Sequence, residues 1–149
     1  MEIERKENLS VYYFIKDKFS DSPFITILDA FPEEEFTYPA ISVEWADAKA
    51  INFELGSKTK LHFRGFVIDI FALTKTQRDE ITFRLYNYLD DTIPVYDYDE
   101  GFPPSVSPSQ MSCLDIEEKN ARVIPIYSEL VEKMYYRATI EFVAKRNTR

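Results

Sequence analysis

The acidic stretch at residues 97–101 carries the side chains best suited to binding a cation. Asp97, Asp99 and Glu100 precede Gly101, and hard cations take several carboxylate oxygens at alternating positions. A complete calcium loop also needs an acidic or amide residue at position 95 and a Glu at position 107, where this chain has Val and Ser. The incomplete pattern predicts a solvated turn rather than a metal site.

The single histidine and the single cysteine limit nucleophilic and metal chemistry. His62 lies between Leu61 and Phe63, which favours a structural role, and the sequence places no basic cluster near Cys113 that would activate its thiol. One residue of each type provides neither a cluster of His ligands nor a multi-Cys zinc site. The three glycines are isolated, so the P-loop and dinucleotide fingerprints are missing. We therefore expect no cofactor.

Carboxylates are the remaining candidates for acid–base chemistry. Asp90 and Asp91 form one adjacent pair, and Glu117 and Glu118 form another. General acid–base pairs usually come from different elements, so these pairs are expected to be solvated surface. An enzyme built only on carboxylates, as in glycoside hydrolysis, stays open as an alternative.

The composition is that of one folded domain with an acidic surface. The 149 residues are 45% hydrophobic and 15% aromatic, which supplies a core, and the formal charge is −8. An excess of acids disfavours tight non-specific binding to nucleic acid, although an acidic surface would let DNA slide past. No stretch reaches the roughly 20 apolar residues of a membrane span. The charged residues 1–7 do not resemble a signal peptide, so we expect a soluble protein of a reducing compartment.

The first half of the chain predicts a helix followed by strands. Asn8 could cap a helix over residues 9–19, although residues 11–15 are β-prone. Strands are predicted over residues 24–28 and 41–45, followed by a weak strand at 49–55 that pairs back through a turn at Gly56 and Ser57. An acidic connection, Glu33 to Glu35, separates the first two.

The middle of the chain has the clearest periodicity. Residues 60–73 alternate, and the apolar face changes sides near Gly65, which predicts a bulge or sharp twist there. Thr74 and Gln77 have capping-box spacing, and Ile81, Leu85 and Leu89 repeat every four residues, which predicts a helix ending near residues 90–91. Another strand is predicted over residues 93–98.

The last third combines a long loop with strands. Residues 99–112 contain three prolines and several serines, and loops of this length are usually functional or disordered until bound. We take this loop as the candidate partner-contact segment, although simple disorder fits equally well; its residues are Phe102, Pro103, Pro104, Val106 and Pro108. A broken hairpin is predicted over residues 113–126 and an amphipathic strand over 134–145. The basic residues 145–149 could be a frayed tail, a solubility device or a contact to an acidic group.

These elements predict a single α+β domain over residues 1–149, with a mainly antiparallel sheet and one or two helices packed on one face. The order of elements resembles the bacteriophage tail terminator (tail completion) and neck protein family. The resemblance covers most of the chain and lies in the strand of residues 38–44 (Tyr-Pro-Ala-Ile-Ser-Val-Glu), the strand of residues 66–72 (Phe-Val-Ile-Asp-Ile-Phe-Ala), and the helix that follows.

The resemblance implies a structural virion protein without catalytic, metal or cofactor residues. Its subunits would form a homo-oligomeric ring, a hexamer in most cases, that caps the tail tube and joins it to the head connector. DNA would pass through without specific binding, no membrane would be involved, and the protein would be made in the host cytoplasm. A head-side neck adaptor and a small carboxylate-based enzyme are the alternatives.

Overall fold

A computed structural model describes residues 1–30, 37, 39–52, 59–125 and 136–147. Within these ranges the chain forms two helices and six strands. The helices are α1 (Ile3–Lys18) and α2 (Lys75–Tyr88), and the strands are β1 (Thr26–Leu28), β2 (Ala40–Asn52), β3 (Lys60–Ala72), β4 (Thr92–Tyr96), β5 (Gln110–Ile124) and β6 (Tyr136–Asn147).

The described strands form one curled sheet in the order β1-β2-β3-β6-β5-β4. Neighbouring strands are antiparallel except for β1, which runs parallel to β2. This architecture confirms the predicted α+β class with a mainly antiparallel sheet.

Both helices pack on the same face of the sheet, because they share one core. Alternate residues of β3 and β6 point into that core together with apolar residues from both helices. The fully buried members are Val11, Ile15, Ile68, Ile70, Leu85, Ile140 and Ala144. The core-facing positions predicted for β6 are confirmed where the strand is described, with 138, 140, 142 and 144 buried. Thr139, predicted on the solvent-facing side, is also buried and donates a hydrogen bond to Asp69. Met134 and Tyr135 lie outside the described residues.

Helix α1 begins six residues earlier than predicted, so the proposed cap at Asn8 is wrong. Asn8 lies inside the helix, and its side-chain oxygen accepts a hydrogen bond from Arg64 at 2.6 Å. Glu4 and Glu7 in the preceding turn contact Arg146, and Glu7 also pairs with Arg64. These long-range ion pairs hold the first two turns of a helix that the local signals placed later.

Helix α2 confirms the periodicity and the cap. The Thr74 hydroxyl accepts a hydrogen bond from the backbone N–H of Gln77 at 3.1 Å. The Gln77 side chain accepts one in turn from the backbone N–H of Leu73 at 2.9 Å. Ile81, Leu85 and Leu89 are buried, as their spacing predicts.

Strand β2 corrects the prediction of a separate weak strand at residues 49–55. Residues 49–52 continue β2 and pair with residues 60–63 of β3. The register shifts between Trp45 and Asp47, so the bulged residue is in β2, opposite Gly65. A Cβ on Gly65 would lie 3.1 Å from the Cβ of Asp47, which explains a glycine at this close approach. Residues 53–58 and 31–36, including the predicted turn and acidic connection, lie outside the described residues.

Strand β5 corrects the prediction of a broken hairpin. Residues 110–124 form one strand, and the polar middle is a register shift between Ile116 and Glu118 rather than a turn. The charged residues there are accommodated because a bulge re-aims the side chains without ending the strand. Strands β1 and β4 are shorter than predicted. Neither helix within the described ranges is long and apolar enough to cross a membrane.

Candidate functional site: the proline loop and the sheet edges

The proline loop, residues 97–109, is closed by its own hydrogen bonds. The backbone N–H of Asp97 donates to the Ser109 carbonyl at 2.9 Å, and the Glu100 carboxylate accepts from the backbone N–H and the hydroxyl of Ser109. The backbone N–H of Val106 donates to Phe102 at 3.0 Å. The hydrogen bonds from Ser109 also lower the pKa of Glu100. The segment is therefore a compact loop that ends where β5 begins, three residues earlier than predicted.

Helix α1 holds the start of this loop through ion pairs. Lys6 Nζ lies 2.8 Å from a carboxylate oxygen of Asp97 and 2.8 Å from one of Asp99, and the Met1 amino group lies 3.1 Å from Asp99. These hydrogen bonds from Lys6 lower the pKa of both aspartates, and the aspartates raise the pKa of Lys6. The acidic stretch considered as a calcium loop thus binds a lysine.

Aromatic rings join the loop to α1 and border a groove. Tyr98 stacks on Tyr13 with ring centroids 5.5 Å apart and on Phe102 at 5.6 Å. Burial raises the pKa of Tyr98. Between α1, β4 and the loop lies a groove of about 860 Å³, and its lining includes Tyr13, Tyr96, Pro94 and Lys16.

The five predicted contact residues divide between the groove and the outer surface. Pro103, Pro104 and Pro108 line the groove. Phe102 and Val106 are 45% and 37% exposed, and Val106 packs against Gly101, whose φ is +137°. A Cβ at this glycine would lie 2.7 Å from Val106, so the turn requires glycine.

The outer edge of β4 is protected against strand pairing. Pro94 has no backbone N–H to offer, and the backbone N–H of Tyr96 donates to the Ser10 hydroxyl of α1 at 3.1 Å. The same hydroxyl donates to the Lys6 carbonyl at 2.7 Å. This short strand therefore offers few free groups to another chain.

Two longer edges lack such protection among the described residues. Strand β1 covers β2 only at residues 40–42, so residues 43–52 have a strand neighbour on one side alone. Strand β4 covers β5 only at residues 110–115, so residues 117–124 also have a strand neighbour on one side alone. At the first edge the backbone N–H of Trp45 donates to the Glu44 carboxylate at 3.2 Å, a partner that another strand could replace.

The outer half of β2 also exposes apolar side chains. Every residue from 44 to 52 is exposed, including three alanines, with Trp45 50% and Ile51 39% accessible. We call residues 44–52 and 60–64 the arm. At the opposite edge Val123 is 50% exposed. An exposed tryptophan is typical of contact surfaces, and the buried Arg64 guanidinium lies 5.9 Å from the Trp45 ring and supports it from beneath.

A second cavity of about 280 Å³ lies where the arm joins α1. Asp29, after β1, and Glu44, in β2, both line it together with Arg5 and Trp45. Two carboxylates from different elements therefore share one cavity. Such a set could bind a cationic group or exchange a proton with a ligand. No three His, Cys, Asp or Glu side chains in the described ranges lie close enough to hold a metal ion.

The other sequence candidates are dispersed. Cys113 is buried and His62 is partly buried in β3. The two adjacent carboxylate pairs are exposed, and the segments that carry them meet at β5, where the backbone N–H of Ile116 donates to the Asp91 carbonyl at 2.8 Å and Lys119 Nζ lies 3.6 Å from Asp90. Residues 145–147 belong to β6, so for them the interpretation as a frayed tail is wrong. Arg146 anchors them by donating to the Glu7 carboxylate at 2.8 Å. Residues 148–149 lie outside the described residues.

Sequence reasoning did not locate the arm, the particular strand edges that are bare, or the ion cluster of Arg64, Glu7 and Arg146. Glu7 is fully buried and Arg64 is 2% exposed. Hydrogen bonding to Glu7 raises the pKa of Arg146. The one available signal for the cluster was an arginine at a core-facing position of β3 and another of β6. The partner of Arg64 lies 57 residues away in the sequence, which local patterns do not reveal.

Comparisons with known proteins add no family to this geometry. No protein-family model matches the chain, and no curated protein matches it. The functional argument therefore depends on the described surfaces and on the resemblance found in the order of elements.

Proposed function

We propose that this chain is a structural building block that assembles with copies of itself into a ring, in the manner of a bacteriophage tail terminator or neck subunit. In that role the ring caps the tail tube, joins it to the head connector and has no enzymatic activity. The protein is made in the host cytoplasm and functions in the virion.

The arm carries this proposal. It extends past the core, so that residues 50–52 and 60–62 have only each other as strand neighbours in the described structure. An isolated two-stranded ribbon is marginally stable in water, and a half-exposed tryptophan adds apolar surface that a partner would cover. These features fit a subunit whose arm is completed by assembly.

The net charge of −8 fits the proposed passage of DNA. Phosphate repels an acidic surface, so DNA would move through such a ring without binding to it. The assembled protein is expected to leave the mobility of double-stranded DNA unchanged in a gel at low salt.

Light scattering combined with negative-stain microscopy tests the proposal. The purified protein is compared alone and with the tail-tube protein of the same particle. We expect rings, either alone at high concentration or at tube ends. Free monomer that never binds tube ends would contradict the proposal.

A matched pair of variants tests whether assembly depends on the arm or on any exposed aromatic side chain. Trp45→Ala removes the exposed aromatic ring of the arm, and Phe83→Ala removes a ring that is 60% exposed on α2. Assembly should weaken in the first variant and persist in the second. Equal assembly of both would show that the arm is not the contact.

The head-side adaptor is distinguished from the terminator by its partner. Both are ring subunits, so the arm supports either role. Co-purification with the portal complex and absence from isolated tails would favour the adaptor, whereas recovery on tube ends favours the terminator.

The cavity between Asp29 and Glu44 favours the carboxylate enzyme as a second candidate, because its two acids come from different elements. Hydrolysis of glycoside substrates is assayed with the parent chain and with Asp29→Asn and Glu44→Gln. Activity lost in either variant would support the enzyme, and no activity in the parent would exclude glycoside hydrolysis.

A further inference from the structure

The two bare edges lie on opposite sides of the sheet and are offset along the strand direction. Following the registers across, residue 124 of β5 is level with residue 40 of β2, and residue 118 is level with residue 47. β1 occupies the β2 side at the first level, and β4 occupies the β5 side at the opposite end. Each bare edge is thus beside a short strand that limits how far a partner strand can extend.

We propose that residues 43–52 of β2 in one copy pair antiparallel with residues 117–124 of β5 in the next copy, so that one sheet continues around the ring. This inference rests on the proposed function and names the contact that builds the ring. The occupant of each edge is a second copy of this chain.

The direction of the pairing follows from the topology. Three antiparallel steps separate β2 from β5 within one sheet, so these two strands run in opposite directions. Rotation about a ring axis keeps the strand directions of every copy the same relative to that axis. A β2 strand therefore meets the neighbouring β5 strand in antiparallel orientation, the pairing that the rest of the sheet uses.

The offset placement suits closure. Joining two edges that are offset in this way shifts each copy along the strand direction relative to the last, always in the same sense. A closed barrel-like sheet needs such a constant stagger, because its strands tilt relative to the axis. The ring would then cover residues 43–52 and 117–124, the two long bare edges.

Other pairings leave an edge uncovered. A two-fold dimer through β2 alone would bury one bare edge and expose both copies of the β5 edge. Strand β4 is excluded by Pro94 and by the bond between Tyr96 and Ser10. Head-to-tail pairing is the arrangement that uses both bare edges of every copy.

Disulfide cross-linking tests the pairing on a Cys113→Ala background. Lys49 and Asn120 lie on the sheet face away from the helices. Lys49 pairs with Phe63, the neighbour in sequence of the core-facing Arg64. Asn120 pairs with Glu141, the neighbour in sequence of the core-facing Phe142. Cysteines are placed at 44, 49 or 51 in β2 and at 118, 120 or 122 in β5, in each combination. Within one chain three strand spacings, about 14 Å, separate β2 from β5, which is too far for a disulfide.

On oxidation at least one combination should lose its monomer band to a ladder that ends at a closed ring. Two single-cysteine variants, one from each edge, should give only a dimer, and only when mixed. Dimers from a β2 cysteine alone would overturn the inference in favour of two-fold pairing.

Native mass spectrometry and carbodiimide cross-linking of the unmodified protein distinguish a failure of the strand pairing from a failure of ring assembly. Rings that give neither a disulfide nor a cross-link between Lys49 and the β5 carboxylates Glu117 and Glu118 would overturn the pairing and leave the proposed function standing. Protein that stays monomeric with and without tail-tube protein would overturn both.

Discussion

Glu7 is a buried carboxylate held between two guanidinium groups. Its oxygens lie 2.8 Å from Arg64 Nη1 and 2.8 Å from Arg146 Nε, and this cluster joins α1 to β3 and β6. Charges of this kind are stable only while they are paired, because burial removes the water that would solvate them. The cluster therefore fixes how the helix lies on the sheet.

Glu7→Gln should lower the free energy of unfolding by roughly 3–5 kcal/mol, because it leaves the buried Arg64 without its carboxylate partner and Arg146 with only the longer contact to Glu4. Urea denaturation measures the change. Glu2→Gln, at an exposed position before the helix, serves as the control and should change the value by at most about 0.5 kcal/mol. A Glu7→Gln variant as stable as the control would contradict the role of the cluster.

Lys6 should stabilise the fold over a broad pH window. The lowered pKa values of Asp97 and Asp99 mean that their contribution is present above about pH 4 and is lost as the pH falls through the native values. The raised pKa of Lys6 means that its contribution is present below about pH 10 and is lost as the pH rises through the native value.

The difference in melting temperature between the parent and Lys6→Met should therefore be constant from about pH 5 to 9 and shrink on both sides. Lys16→Met, at an exposed position of the same helix, should show little difference at any pH. A difference that grows below pH 4 would contradict this assignment.

At the scale of elements, the turn at Gly101 fixes the proline loop. Gly101→Ala combines a positive φ with a contact of 2.7 Å to Val106, and we expect the loop to lose about 1–3 kcal/mol of local stability. Hydrogen exchange of the Val106 amide, which donates to Phe102, measures the loss. Ser105→Ala, at an exposed loop position, is the control and should leave this exchange rate unchanged. Equal rates in both variants would show that the turn does not require glycine.

Elements whose signals are local were predictable from the sequence. The α2 helix follows from Thr74, Gln77 and the four-residue repeat, and the core face of β6 follows from alternation. The start of α1 was not predictable, because Glu4 and Glu7 are held by arginines distant in sequence. The sequence predicted a broken hairpin in place of β5, because the polar residues at the bulge near Glu117 resemble those of a turn.

The candidate surfaces also differ in how far the sequence predicted them. Proline and serine composition located the loop at residues 99–112, and its aromatic stack on Tyr13 required the fold. The positions of the bare edges could not be predicted from the sequence, because an edge is defined by which strand is its neighbour. Alternation indicates a strand and contains no information about the order of strands in the sheet.

At the scale of the whole molecule, the described part of the sheet protects the edge of β4 and leaves long stretches of β2 and β5 bare. Pro94 and Ser10 protect β4, whereas residues 43–52 and 117–124 have neighbours on one side only within the described structure. An acidic chain with an exposed arm and a compact proline loop is the kind of unit that a ring completes. The proposed terminator role depends on that assembly.

Hydrogen–deuterium exchange of the assembled protein, compared with dilute monomer, tests this account most directly. We expect exchange of residues 43–52 and 117–124 to slow by roughly tenfold or more on assembly, because their outward amides gain partners, while β4 changes little. Unchanged exchange in both segments, at high concentration and with tail-tube protein present, would contradict the account.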